Sequence, residues 1–438
     1  MNHLQKRNEL DDSIEGKEII LLTSPPTIWD RLDIAASFLF CALLAFAPLA
    51  YGAVQDWSLF VVECVSTTCL VLVVIQRISS GAKFSGNPLY KPFFCLIILA
   101  IMQWSLGWTA YGYATRTSIL QGIACLIAFL LTLELFSRNG RARNLVWFLC
   151  IYGGLMALFA IVQGFTSEGK LFWTTLPTLG AVIYGSYVNH AHYAGLMELL
   201  TPFPLVMALR KRSTPLQSAL LGFTGVLMAV SIFLSRSRGG VVTFCVQLAF
   251  LGAVFYASGG KRKHMASFVL FVAVLAGLFA WLASSEVTEA LSTLKDPAAD
   301  NVTGFRLHIV QDSLPLIFTH PIFGSGLGTF AHIFPRYQSF YSDFYVNFAH
   351  NDYVQFVVEM GLAGVVLLTW ALIVFFQRAL DGISEWARHT DTAIRLAALT
   401  GCVGILIHSL SDFNLHIPAN AMLFLVCVAL ASRAPQES

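Results

Sequence analysis

Two arginines and two glycines lie between apolar blocks in the segment SRSRGG, as Arg236, Arg238, Gly239 and Gly240. Arginine at a membrane edge is costly unless its side chain reaches lipid headgroups or meets an anion. A guanidinium pairs bidentately with phosphate oxygens, and glycine lets a polyanion approach the backbone. The segment therefore predicts either a phosphate-binding turn or arginines that extend to the headgroups.

A histidine stands where a long connection meets the next apolar block. His350 and Asn351 lie at the predicted start of that helix, and Arg306 lies at the start of the connection. We expect His350 and Arg306 on the same side as Arg236 and Arg238. A base that titrates near neutrality beside several cations suits a group transfer, whereas the simpler alternative is an interfacial polar side chain.

Two further histidine groups allow more than one interpretation. His408 and Asp412 are four residues apart, and we expect them to share one helical face. They would either cap the helix end or support the site. His190 and His192 are two residues apart, which metal ligands can be, but no third ligand is evident. We favour a substrate-lining or interfacial role for them.

Acidic residues inside apolar blocks need partners, so they are weak indicators of function. They are Glu63, Glu198 and Glu359. A glycine run in the long connection, GSGLG at 324–328, lacks the preceding strand and βαβ unit of a dinucleotide site. It is better explained as a tight turn that re-enters the membrane.

The elements that carry these residues are apolar helices. The chain has 438 residues, 56% hydrophobic and only 12% charged, whereas soluble domains carry about a quarter charged residues. The apolar blocks have the length of a membrane-spanning helix. We predict an all-α, polytopic membrane protein with about twelve spans, at 32–54, 57–76, 91–108, 117–136, 144–164, 189–209, 216–234, 239–257, 264–284, 353–377, 393–411 and 417–433.

The charge distribution predicts how the chain faces the membrane. With the N-terminus inside, 20 of the 27 Lys and Arg residues fall in cytoplasmic segments, as the positive-inside rule requires. The predicted order is a cytoplasmic tail at 1–31, nine spans at 32–284, an outer connection at 285–352, three spans at 353–433 and a cytoplasmic tail at 434–438. Such a long connection is usually functional, and its residues 304–318 have helical spacing.

The sequence resembles the O-antigen ligase and polymerase family of bacterial envelope enzymes. One stretch of the chain matches a pattern of the ligases. It consists of His350, Asn351, nine residues, Gly361, two residues and Gly364. The stretches SRSRGG, PIFGSGLGTF and HSLSDFNLHIPAN are also similar to this family. The likeness extends over most of the chain and is sharpest from about 189 to 420.

This resemblance implies a fold similar to the lipid-linked-sugar (C-type) glycosyltransferases, in the bacterial inner membrane with a periplasmic active site. It implies a donor glycan on undecaprenyl diphosphate and an acceptor in the lipid A core or a second glycan, without nucleotide, nucleic acid, cofactor or metal. His350 would be the catalytic base, which Arg306 would help keep neutral. Arg236, Arg238 and Arg306 would bind the donor diphosphate, and Asn351, His408 and Asp412 would support the site.

Several functions remain open at this level. A ligase, a polysaccharide polymerase and a protein O-glycosylating enzyme share the donor and differ in the acceptor. A transporter of lipid-linked glycans would be expected to carry charges through a central cavity and inverted repeats. Here the basic residues expected outside cluster at one face, which favours an inverting transferase with a single displacement.

Overall fold

The computed structural model describes residues 28–136, 140–176, 182–210, 213–258, 262–282 and 301–434. These residues are mainly α-helical, and β-pairing among them is limited to isolated bridges at Leu171–Thr175 and Tyr184–Tyr187. The predicted tails up to residue 27 and beyond 434, and the stretch 283–300 of the long connection, lie outside the described residues.

The described residues form fourteen helices of seven or more residues, which are numbered in chain order. They are α1 (Ile28–Leu49), α2 (Asp56–Ser80), α3 (Tyr90–Ser105), α4 (Gly112–Phe136), α5 (Arg141–Thr166), α6 (His190–Leu200), α7 (Pro202–Ala208), α8 (Pro215–Leu234), α9 (Arg238–Ala257), α10 (Arg262–Leu282), α11 (Asn301–Ile317), α12 (Asp352–Leu380), α13 (Thr390–His408) and α14 (Pro418–Ser432).

The multi-span helical architecture is confirmed. In the described part of the chain, eight helices are long and apolar enough to cross a membrane: α1, α2, α4, α5, α8, α9, α12 and α13. Shorter apolar helices lie at Tyr90–Ser105, Met265–Leu278 and Pro418–Ser432. The number of twelve spans stays a prediction.

One predicted span is interrupted. The block 189–209 was expected as a single helix, but it forms α6 and α7 with a break at Thr201. Pro202 and Pro204 follow the break, and proline cannot donate the backbone hydrogen bond that continues a helix. The expectation of one continuous helix was therefore wrong.

The centre of the bundle is formed by α13 and α14. Helix α13 packs against α6, α7, α9 and α14, and α14 packs against α4. Side chains on α13 such as Leu396, Leu399 and Cys402 are fully buried. Because α13 is enclosed by protein on most sides, the turn that follows its last residue, His408, can hold polar groups away from lipid.

The described part of the long connection, residues 301–352, forms a small module that packs on the first turns of α12. The predicted helix at 304–318 is confirmed as α11. Its apolar side joins a separate hydrophobic core made of Ile309, Leu316, Phe330, Phe334, Val346, Ala349 and Val358. This core fixes α11 against the segment that leads into His350.

Candidate functional site

A buried carboxylate lies at the centre of the candidate site. Asp412 is inaccessible to solvent in the turn after α13. Its Oδ1 lies 3.5 Å from Nε2 of His192 and 3.7 Å from Nδ1 of His350, and its Oδ2 lies 3.5 Å from Nη2 of Arg306. Residues far apart in the chain therefore converge on one negative charge.

The neighbours of Asp412 keep it ionised. Burial alone would raise the pKa of this carboxyl, but the contacts with His192 and His350 and the charge of Arg306 bring the pKa well below its usual value. The backbone N–H of Phe413 also donates to Oδ1 over 2.8 Å. These contacts favour the ionised form of the Asp412 carboxyl.

His350 has a strained backbone and a partly exposed ring. Its φ of 50° lies in the left-handed region, which few residues other than glycine adopt. Its ring meets Phe413 edge to face, with the centroids 4.9 Å apart, and the side chain is 23% exposed. Such strain persists only where surrounding structure holds it and is concentrated at functional sites.

Arg306 lies next to His350 on the outer module. Its Nη1 donates to the carbonyl oxygen of Ser411 over 2.7 Å, and its side chain is 28% exposed. Arg306 therefore bridges α11 to the turn after α13. Asp412 therefore lies in contact with both Arg306 and His350.

The arginine turn between α8 and α9 lies against the same region. Arg236 is exposed with a φ of 60°, and Arg238 is the partly buried first residue of α9, capped by Ser237. A Cβ on Gly239 would lie 2.9 Å from Nε2 of His408. The turn therefore lies directly beside the end of α13.

The two glycines of this turn serve packing. A Cβ on Gly239 would also lie 3.0 Å from Oγ of Ser411, and one on Gly240 would lie 2.6 Å from Cβ of Ala194. Protein atoms thus occupy the space beside both glycines. The expectation that they leave room for a polyanion is corrected, and anion binding at this turn depends on Arg236 and Arg238.

His408 does not share a helical face with Asp412. Helix α13 ends at His408, and Asp412 lies in the following turn, so the expected helical pairing was wrong. Nδ1 of His408 lies 2.9 Å from Oε1 of Glu198, and both side chains are buried. This pair supplies the partner that Glu198 was expected to need, whereas Glu63, partly buried on α2, stays only a weak indicator.

Asn351 caps α12. Its side-chain oxygen accepts hydrogen bonds from the backbone N–H groups of Tyr353 and Val354, and its amide donates to the carbonyl oxygen of Leu410. The next residue, Asp352, lies 2.7 Å from Nδ1 of His416. These bonds fasten the start of α12, and with it His350, to the turn after α13.

His190 and His192 have separate partners. Nδ1 of His190 lies 2.7 Å from the carbonyl oxygen of Ser235, whereas His192 faces Asp412. Among the described residues, no group of three His, Cys, Asp or Glu side chains is arranged to hold a metal ion. His190 joins α6 to the arginine turn, which is a positioning role.

A comparison with protein-family models matches one segment of the chain. Residues 223–369 match the model of the O-antigen ligase family, a segment that contains Arg236, Arg238, Arg306 and His350. This segment is similar to the O-antigen ligase family. A comparison with curated proteins found no match.

Within the segment that matches the O-antigen ligase model, the glycines of the histidine motif shape the backbone. Gly361 interrupts the helical conformation of α12 with φ 60° and ψ −166°. At this break, the N–H groups of Leu362 and Ala363 donate to the carbonyl oxygens of Pro321 and Ile322. Gly361 therefore lets the outer module bind to the backbone of α12.

Glu359 holds the glycine run of the matched segment. Its carboxylate accepts hydrogen bonds from the backbone N–H groups of Gly328 and Phe330 and from the side chain of Gln355. Residues Gly324, Gly326 and Gly328 all have positive φ, which confirms the predicted tight turn. Glu359 is a structural anchor, because all three partners belong to the protein itself.

The structure brings most of the predicted site residues together. His350 and Arg306 both contact Asp412, and Arg236 and Arg238 lie in the turn beside His408. The sequence did not reveal that His192 binds the same carboxylate, or that Glu198 pairs with His408. The only available signal was the presence of ionisable side chains inside apolar blocks.

Proposed function

We propose that this protein transfers a glycan from undecaprenyl diphosphate to an acceptor hydroxyl, as an O-antigen ligase does. The observation that carries the proposal is the convergence of Arg306, His192 and His350 on the buried Asp412, beside the turn with Arg236 and Arg238. This convergence supports a site in which cations lie close to a general base. The family match supports glycan-transfer chemistry at a membrane.

The arginines would bind the donor diphosphate. As the glycosidic bond breaks, negative charge grows on the bridging oxygen of the leaving group. Fixed cations aimed at that charge lower the barrier more than they stabilise the bound donor. Arg306 and the Arg236–Arg238 turn have the charge and the exposure for this role, and no metal ion is required.

His350 would act as the general base. A proton on Nδ1 directed at Asp412 leaves Nε2 as the basic nitrogen, which can take the proton of the acceptor hydroxyl. The hydroxyl oxygen then bonds to the anomeric carbon while the bond to the diphosphate oxygen breaks. A single displacement inverts the anomeric configuration and releases undecaprenyl diphosphate.

The acceptor in this proposal is a lipid A core sugar, and the site faces the periplasm of a bacterial inner membrane. The charge asymmetry of the sequence supports this orientation. Reporter fusions at Lys261 and Lys295 should report opposite compartments. If both report the same compartment, the orientation is wrong.

The direct test is reconstitution with defined substrates. Purified protein in liposomes should transfer glycan from a lipid-linked donor onto a lipid A core acceptor, without nucleotide and in the presence of a chelator. Transfer onto a second lipid-linked glycan alone would instead identify a polymerase. Movement of the intact donor across the bilayer without transfer would identify a transporter and contradict the proposal.

A further inference from the structure

Aromatic side chains project from the outer module without apolar cover. Tyr341 is 87% exposed, Phe344 58% and Tyr345 60%. These three side chains are called the aromatic platform here. Exposed apolar groups that lie together commonly mark a binding surface.

The platform is held in a defined position. Ser339, two residues before Tyr341, bonds through its backbone N–H and its hydroxyl to the carboxylate of Asp312, over 2.7 and 3.0 Å. The hydroxyl of Tyr341 donates to Asp343, and that of Tyr345 donates to the carbonyl oxygen of Ala331. Because the hydroxyls are engaged by the protein, the ring faces are the surfaces left for a ligand.

The platform lies close to both parts of the proposed site. Asp312, which hydrogen-bonds to Ser339 just before the platform, is six residues beyond Arg306 on α11. This separation is about 9 Å along the helix axis. Tyr345 is five residues before His350, so their Cα atoms are at most about 18 Å apart. A glycan attached to a diphosphate at Arg306 therefore passes within reach of the platform.

We propose that the aromatic platform binds the donor glycan, at sugars beyond the one joined to the diphosphate. The C–H groups on a face of a pyranose ring carry small positive charges and stack on the negative face of an aromatic ring. The exposed carboxylate of Asp343 can accept hydrogen bonds from sugar hydroxyls beside the rings.

A glycan fits the platform better than a lipid surface does. Aromatic side chains at a membrane interface are usually accompanied by lysine or arginine, which bind the headgroups. Residues 337–347 contain one acidic residue, Asp343, and no basic residue, and one arginine, Arg336, precedes them. The two carboxylates that hydrogen-bond to this segment, Asp312 and Asp343, are unfavourable for anionic headgroups and favourable for hydroxyl-rich ligands.

The inference rests on the proposed function, because the glycan is that of the proposed donor. Transfer kinetics with two donors of different glycan length test the inference. One donor carries a single sugar on undecaprenyl diphosphate, and the other carries the host's full-length glycan. In the double variant Tyr341→Ala, Phe344→Ala, KM for the long donor should rise about tenfold, the loss of roughly two stacking contacts. Its kcat, and KM for the single-sugar donor, should stay unchanged.

Two controls separate stacking from structural damage. Tyr341→Phe keeps the ring and loses only the hydrogen bond to Asp343, so its KM for the long donor should rise much less than that of the double variant. Tyr256→Ala removes a tyrosine that is 81% exposed near the other end of α9 from Arg238, and it should also leave KM unchanged. An equal rise of KM for both donors, a rise of KM for the acceptor instead, or no rise at all would overturn the inference.

A binding measurement keeps the inference testable without turnover. Glycan released from the host's lipid-linked donor by mild acid is titrated against wild-type protein and the double variant by calorimetry. The wild type should bind it and the double variant should bind about tenfold more weakly. Equal affinities would refute the platform, whereas binding without transfer in the wild type would refute the proposed function alone. The double variant could instead keep its affinity for the glycan and lose binding to anionic lipid vesicles. That result would indicate a membrane contact and overturn the inference.

Discussion

Replacing Asp412 by asparagine should separate catalysis from donor binding. Asp412→Asn keeps the shape of the side chain and removes the charge that His192, His350 and Arg306 share. At 3.5 Å and an effective dielectric constant of about 20, the attraction between Asp412 and Arg306 is about 5 kcal/mol before desolvation is subtracted. Breaking a buried pair typically costs about 3–5 kcal/mol.

The effect on rate should be larger than the effect on donor affinity. Without the carboxylate, the ring of His350 loses the partner that sets its orientation and its protonated nitrogen, so kcat should fall by about 10²–10⁴-fold. Arg306 loses the anion that offsets its charge, so the affinity for the donor diphosphate should stay the same or increase. The two quantities should therefore change independently.

Initial rates of transfer and donor binding measured on the same preparations test this prediction. Asp33→Asn is the matched control, because Asp33 is also buried and bound to an arginine, Arg141, at 2.8 Å. It should lower the melting temperature and leave kcat unchanged. A folded Asp412→Asn protein with near wild-type kcat, or with donor affinity reduced in parallel with kcat, would refute the reasoning.

Three further predictions concern the cations, the module and the stability. Arg306→Lys keeps the charge but loses the bidentate geometry, so kcat should fall about tenfold or more in the transfer assay. Gly361→Ala forces a side chain into a left-handed backbone beside Ile322 and should lower stability by about 3 kcal/mol or more, whereas Gly222→Ala, in open space, should not. Burial alone would lower the pKa of His416, but the hydrogen bond between His416 and Asp352 raises this pKa above 6.5. The stabilisation by this pair is therefore complete below pH 6.5 and lost as the pH rises through the raised pKa, so thermal melting in detergent should show a pH dependence that His416→Gln lacks.

Local features of the fold followed from the sequence. The apolar blocks predicted the helices, the helical spacing in the long connection predicted α11, and Asn351 was predicted to lie at the start of a helix, which it caps. These features depend on residues within one or two turns of each other, so composition and periodicity suffice to detect them. The prolines at 202 and 204 also carried the signal for the break after α6, although the block was predicted as one helix.

Contacts between distant segments did not follow from the sequence. Asp412 binds His192, which is 220 residues away, and Glu198 binds His408 across the bundle. Periodicity gives the face of each helix but not the partner that the face meets. For the same reason, His408 and Asp412 were paired with each other, although the helix ends between them and each binds a different element.

The role of the glycines was also hidden in the sequence. Gly361 belongs to the histidine motif, but its function is a backbone conformation that lets Pro321 and Ile322 bond to α12. The spaces next to Gly239 and Gly240 depend on which side chains of α13 and α6 approach them. Such spaces become visible only when the tertiary packing is known.

The most direct measurement of the proposed mechanism is single-turnover transfer by His350→Ala. We predict that this variant inserts into the membrane, binds lipid-linked donor with wild-type affinity, and transfers glycan about 10²–10⁴-fold more slowly than the wild type. His320→Ala is the control, since His320 is exposed and hydrogen-bonds to its neighbour Thr319, and it should turn over at the wild-type rate. A near wild-type rate in His350→Ala would contradict the assignment of His350 as the base.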